Sequence, residues 1–188
     1  MIKSFFKSFN IFEEQEIDKI VPFFVSRKLT KHAYFAEEGT PCTEVALVKS
    51  GILRSYYTIQ HAEEITYCFR FPNDLMASYS SFITGNPSLE SIQAIGAVEL
   101  FVIKKNKIEE LAKDNSAWLK FLKLIAEQQY MELERRVFQL QKETASERYA
   151  YLLKNHANYI QNIPLNYIAS YLGISQRHLS RIRAGIQL

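Results

Sequence analysis

Between Ala97 and Ile163 the chain has neither a glycine nor a proline. In the stretch before it, Gly39, Pro41, Gly51, Pro72, Gly85, Pro87 and Gly96 recur at short intervals. Both residues punctuate regular structure, because glycine reaches positive φ and proline cannot donate a backbone hydrogen bond. This distribution predicts a first half of short segments and a second half of long helices.

In the punctuated half, apolar residues tend to alternate, as half-buried strands require. Ile65, Tyr67, Phe69 and Phe71 form one such set, and Val98, Leu100 and Val102 another. Val45 to Val48 and Ile52 to Tyr57, joined through Lys49-Ser50-Gly51, read as a strand pair with a tight connection. Many short strands at this spacing predict a sandwich or small barrel. A helix with Asn10 as N-cap and Ile17, Ile20, Val21 and Phe24 on one face is expected before them.

After the boundary, Asn106 to Lys113 reads as a short helix and Ser116 to Lys142 as a long one. Its stripe is Leu119, Leu122, Ala126, Leu133, Val137 and Leu140, widened at the start by Trp118, Phe121 and Ile125. A helix of about 40 Å is longer than so small a domain easily covers, so part of the stripe is expected to pack on a second copy. The alternative is an ordinary helix lying along the barrel. Thr144-Ala145-Ser146-Glu147 then has the form of a capping box and starts another helix, which Asn162-Ile163-Pro164 ends.

Leu165 to Ile182 reads as two short helices with a turn at Gly173. Ala169 is small where the helices would cross, and Gly173 suits a left-handed turn. Ser175 is a good N-cap, and Ile168, Leu172, Ile174, Leu179 and Ile182 can close a core between the helices. The second helix keeps Gln176, Arg177, His178, Ser180, Arg181 and Arg183 away from that core. These side chains can donate to phosphates or to base edges in a major groove. The pattern is that of a helix-turn-helix; the alternative is a chance helical hairpin. Charge agrees with it: residues 1–143 carry 18 Lys/Arg against 19 Asp/Glu, and residues 144–188 carry 5 against only Glu147.

A β-rich half, a long helix and a helix-turn-helix together resemble the catabolite activator / fumarate–nitrate regulator (Crp/Fnr) family of transcription regulators. The resemblance implies an α+β chain with three parts. They are a cyclic-nucleotide-binding-like β jelly roll acting as sensor (1–114), a long dimerisation helix (115–143) and a helix-turn-helix domain (144–188). It implies a homodimer with Trp118, Leu122, Ile125, Ala126, Leu133, Val137 and Leu140 at the dimer contact. Double-stranded promoter DNA is the implied partner, with RNA polymerase a further one. Bases would be read by Gln176, Arg177 and Arg181, with Ser175, His178 and Arg183 on the backbone.

Two departures from the family pattern qualify this. The Gly-Glu pair that holds a cyclic phosphate is Ala77-Ser78 here, and no arginine lies between Arg70 and Arg135. A cyclic phosphate would meet Glu90 where a guanidinium is needed, which argues against cAMP or cGMP bound in the usual way. The hydroxyls of Ser78, Tyr79, Ser80 and Ser81, with Ala77, Ser88, Glu90 and Ser91, form a candidate effector pocket for something uncharged. A solvated turn is the alternative. Only six residues follow Ile182, so no C-terminal hairpin wing is expected.

Other chemistry is not indicated. No GxSxG, HExxH, GxxxxGK[ST] or GxGxxG occurs. His32, His61, His156 and His178 are scattered, which does not suit a metal-dependent barrel enzyme, so no cofactor, no metal and no enzymatic activity are expected. Cys42 and Cys68 make no CxxC, and a buried structural thiol is favoured over a redox switch. Neither a signal peptide nor a membrane span is apparent, so a cytoplasmic chain is expected. The reading is a DNA-binding transcription regulator with an effector other than a classically bound cyclic nucleotide. The alternative is a ligand-sensing or protein-interaction module of the same fold.

Overall fold

The computed structural model describes residues 1–59, 63–113 and 115–185. Two four-stranded antiparallel sheets face each other. One runs in the order β1 (Val25–Leu29), β8 (Val98–Lys104), β3 (Glu44–Ser50), β6 (Leu75–Met76). The other runs β2 (Tyr34–Ala36), β7 (Ser91–Ala94), β4 (Leu53–Thr58), β5 (Glu64–Arg70). Ala46, Val48, Leu53, Ile92, Val98 and Leu100 fill the space between them.

The expected pairing of Val45–Val48 with Ile52–Tyr57 is not made, because these strands lie in different sheets. Gly51, at φ 85°, turns the chain from one sheet to the other. A Cβ there would lie 2.4 Å from the Ala97 carbonyl oxygen, so the corner demands glycine for space as well as for φ. The alternation in β5 is also interrupted. A bulge opposite Ser55 and Tyr56 leaves Tyr67 unpaired. Arg70 lies opposite Leu53 and Cys68 opposite Ser55 on the inner face, while Phe69 and Thr66 lie opposite Arg54 and Tyr56 on the outer one.

The N-terminus forms two helices, α1 (Ile2–Lys7) and α2 (Glu14–Ile20). Asn10 is not an N-cap; it sits at φ 53° between them, and Glu13 with Glu16 supplies the capping box. Both helices pack on the outer face of the β1-β8-β3-β6 sheet, beside α4 (Lys105–Ala112) and the start of α5 (Ser116–Lys142). Phe6, Phe12, Trp118 and Phe121 meet there with ring centroids 5.3 to 5.8 Å apart. Burial of each such ring contributes roughly 1.5–3 kcal/mol. A short α3 (Tyr79–Thr84) follows β6.

Beyond α5, the Thr144 amide donates to Glu147 Oε2 at 2.7 Å and the Glu147 amide to Thr144 Oγ1 at 3.3 Å, closing the capping box of α6 (Ala145–Ile160). α7 (Leu165–Leu172) and α8 (Gln176–Gly185) complete a three-helix unit around Leu152, Ile168, Leu172, Leu179 and Ile182. This unit rests on the outer face of β4 and β5 and shares its core with Ile52, Phe69 and Phe71. Among the described residues no helix is long and apolar enough to cross a membrane.

Candidate nucleic-acid interface and barrel interior

Gly173 ends α7 in the left-handed conformation (φ 68°, ψ 36°), and Ser175 Oγ accepts the His178 amide at 3.2 Å to start α8. The α7–α8 crossing is closed by Ala169, 2% exposed, and by Leu179 and Ile182. This local geometry turns one face of α8 outward. Ser175, Gln176, Arg177, His178, Ser180, Arg181 and Arg183 are all exposed. Among the described residues, Arg177, Arg181 and Arg183 make no ion pair, so their guanidinium groups stand free. The Ser180 hydroxyl is engaged with the Gln176 carbonyl at 3.0 Å.

Two contacts fix this unit in place. Arg148 donates to the Leu172 carbonyl at 2.8 Å and to those of Gln139 and Glu143, so one guanidinium satisfies the C-terminal carbonyls of both α5 and α7. On the barrel side, Ser170 Oγ donates to the Glu64 carbonyl at 3.1 Å and accepts the Thr66 amide at 2.9 Å, along the outer edge of β5. Next to it, Arg54 is 1% exposed, bonded to Thr66 Oγ1 at 2.7 Å and Glu64 at 2.6 Å, and sandwiched between the Tyr56 and Tyr167 rings. Neither Ser170 nor Arg54 carries a sequence signal, because each takes its role from a partner more than ten residues away.

Inside the barrel, the expected effector residues do not form one pocket. Ser78 and Ser88 are buried with their hydroxyl oxygens 2.8 Å apart, and Ser88 Oγ donates to the Glu90 carbonyl at 2.7 Å. Ser81 Oγ accepts the Cys42 amide at 2.9 Å, and Ser91 Oγ accepts that of Glu38 at 3.1 Å. Tyr79 and Ser80 are exposed on α3, and Ala77 is half-buried beside it. The Glu90 carboxylate is buried and bonded to the Ser55 hydroxyl. Tyr67 is 38% exposed overall, but desolvation of its hydroxyl and this carboxylate push its phenol pKa upward. Ser55 and Tyr67 thus belong to the interior cluster, on two strands that sequence could not align with Glu90. Burial also pushes the Cys68 thiol up to about 12, which disfavours its thiolate.

The interior continues into a cavity of about 410 Å³ between β5, α5 and the C-terminal unit. Arg70 spans it, paired to Glu132 at 2.5 Å and donating to Gln129 Oε1 at 2.9 Å. The Arg136 guanidinium stacks over Tyr171 at 4.0 Å and bonds its carbonyl, while its Nε has no partner.

Along α5 the expected dimer residues divide into two sets. Trp118, 2% exposed, donates from Nε1 to the Ile108 carbonyl at 3.1 Å, and Leu122 and Ile125 pack on the same cluster. Trp118 is covered by its own chain, because the N-terminal helices reach over the start of α5, whereas Leu122 and Ile125 are half-buried. Leu133, Val137 and Leu140 remain exposed, with Ala126 half-buried. Tyr130, 66% exposed, joins them at four residues from Ala126 and three from Leu133, a spacing legible in sequence but not used. Among the described residues no three metal-ligating side chains come together, and His61 lies outside those residues.

The described residues thus combine an eight-stranded sandwich, a long helix and an exposed basic helix-turn-helix. Residues 26–115 match the cyclic nucleotide-binding domain family. The chain is 26% identical over 98 residues to the anaerobic regulatory protein of Bacillus subtilis, a match covering 52% of this chain but 41% of that relative. FixK2 of Bradyrhizobium japonicum superposes with a TM-score of 0.77 at 20% identity, over 86% of this chain and 83% of that one. A structure assigned to the Crp/Fnr family from Eubacterium rectale superposes with a TM-score of 0.72 at 20% identity, over 97% and 87%. The barrel is therefore similar to the cyclic nucleotide-binding domain family, and the chain as a whole has the fold of the Crp/Fnr-type structures on which it superposes.

Proposed function

We propose that this chain is a homodimeric, sequence-specific DNA-binding transcription regulator. The observation that carries the reading is α8, whose outward face holds Gln176, Arg177, His178, Arg181 and Arg183 with no acidic residue among them. A helix of this kind enters a major groove, with arginine or glutamine bidentate to base edges and the remaining donors on phosphates. Leu133, Val137, Leu140 and Tyr130 on α5 supply the seam to a second copy, which presents two recognition helices to two half-sites.

Control by a classically bound cyclic nucleotide is disfavoured. Glu90 already takes the Ser55 hydroxyl inside the barrel, and the inward guanidinium, Arg70, is neutralised by Glu132. A cyclic phosphate would have to displace a carboxylate and break an ion pair.

The test is selection of genomic fragments by the purified protein, repeated with Arg177→Ala/Arg181→Ala. Enrichment of an inverted repeat by the wild type and not by the double variant supports the reading. Equal enrichment by both, or none at low salt with the dimer intact, overturns it.

A further inference from the structure

We propose that the chain binds a medium-chain aliphatic carboxylate in an apolar cavity outside the barrel, between α3, α4, α5 and the outer face of the β1-β8-β3-β6 sheet. The cavity holds about 310 Å³. Its floor is Ile103 and Ile108, its walls are Trp118, Phe121 and Phe82, and Ile83 stands at the mouth, 57% exposed. It lies mainly on the face of the sheet opposite the barrel core, and Leu75, Met76, Ala77, Tyr79 and Gln129 line both it and the cavity beside Arg70. Its α5 lining is offset from most of the proposed dimer seam and meets it at Leu122, which lies on the same helix face as Leu140 about five turns on. On α5 the cavity takes Trp118, Leu122, Ile125 and Gln129, a stripe about 80° around the helix from Ala126, Tyr130 and Leu133.

Three observations define the ligand. First, the lining is almost wholly hydrocarbon, and a cavity of that kind stays dry and takes up apolar molecules instead of water. Second, at about 30 Å³ for a group the size of a methylene or a water, the volume accommodates about ten carbons. Third, the rim carries a cation without an anion. Lys105 donates to the main-chain carbonyls of Phe82 and of Ile83, the latter at 3.2 Å. No carboxylate lies within ion-pair distance of it among the described residues. An ammonium has three donors, so one remains for an acceptor at the mouth. The other polar groups at the cavity are Glu109, exposed one turn after Lys105, Gln129, and the Tyr79 hydroxyl. A carboxylate head on Lys105 gains a charge-assisted bond that an alcohol does not.

Trp118 is the chain's one tryptophan and lines the cavity, so its fluorescence reports occupancy. The purified full chain is titrated with hexanoate, octanoate, decanoate, dodecanoate and decanol, each below its micelle concentration. Affinity is expected to rise about fourfold per added methylene as far as decanoate and then to level off. Decanol should bind more weakly than decanoate. Lys105→Met should remove that preference and keep decanol binding, whereas Ala112→Leu, or Ala77→Leu on the opposite side, should weaken the whole series by filling the space. No change in Trp118 emission and no thermal stabilisation with decanoate overturns the proposal. So does decanol binding better than decanoate to the wild type, or decanoate binding equally well to both filled variants. The outcome is independent of DNA binding, because every readout is on the free protein.

Discussion

Two glycines with nearly equal φ do unequal work. Gly173 at 68° has open space around it, the nearest atom to a Cβ being Leu140 Cδ2 at 3.8 Å, whereas Gly51 at 85° has the Ala97 carbonyl at 2.4 Å and Val98 Cα at 2.9 Å. Gly173→Ala therefore meets only the left-handed penalty of about 1–2 kcal/mol. Gly51→Ala adds the displacement of backbone, about 1–3 kcal/mol more. Denaturant unfolding of both variants checks this; equal losses would refute the steric account of Gly51. The difference was invisible in sequence, where both read simply as turns. What was legible was the local chemistry around Gly173: Ala169, Ser175, Leu179 and Ile182 all lie within nine residues of it. Glu90, Ser55 and Tyr67 were not legible as a cluster, because β4, β5 and the bend before β7 bring them together.

At the scale of elements, α5 and α6 each hold a test. The exposed seam on α5 predicts that Leu133→Glu/Val137→Glu raises the dimer dissociation constant by about a hundredfold, at least about 3 kcal/mol over two copies. Sedimentation equilibrium measures it. Leu122→Ala, whose side chain faces its own domain, should lower stability and leave the association unchanged. In α6, His156 leaves helical geometry (φ −137°, ψ 29°) and stacks on Phe71 at 4.2 Å. Burial holds its pKa below the ordinary value of 6.5, with Asp74 and Glu132 acting upward and Arg135 downward. The folded chain therefore binds fewer protons than the unfolded chain just below pH 6.5. Stability is full above that value and falls as pH drops through the depressed pKa. Asp74 acts oppositely and at lower pH, since burial raises it from 3.8 and favours its neutral form. Thermal melts at pH 7.5 and 5.5 should show a loss that His156→Phe abolishes while keeping the stack; an unchanged pH response in the variant would refute the assignment. Helix lengths were readable from the absence of glycine and proline, but not which helix face would be covered. The reach of α1 and α2 over Trp118 depends on tertiary packing that no periodicity encodes.

For the whole molecule, the barrel, α5 and the C-terminal unit are joined by side chains that touch two parts at once: Arg148 between α5 and α7, Arg70 between β5 and α5, and Ser170 between α7 and β5. On the proposed function, recognition helices on two copies would serve half-sites about 34 Å apart, and these joints would set the geometry that DNA meets. Arg183 lies at the far end of α8 and is expected on the phosphate backbone. Arg183→Ala should flatten the dependence of log K on log salt by about 1.8 for the dimer, about 0.9 per lost contact, while leaving the preferred sequence unchanged. Titrations at several salt concentrations read both quantities. An unchanged slope would remove Arg183 from the interface.

The Ser170 contact has a consequence beyond orientation. β5 is the last strand of its sheet, and its outward main-chain groups are a template on which any extended chain could add a strand. Ser170 occupies the Thr66 amide and the Glu64 carbonyl, and α7 packs beside β5. The first helix of the helix-turn-helix, α7, is therefore also the guard of an open sheet edge. A change that frees the unit from the barrel exposes a surface prone to self-association, so solubility and correct docking are tied to the same hydroxyl group.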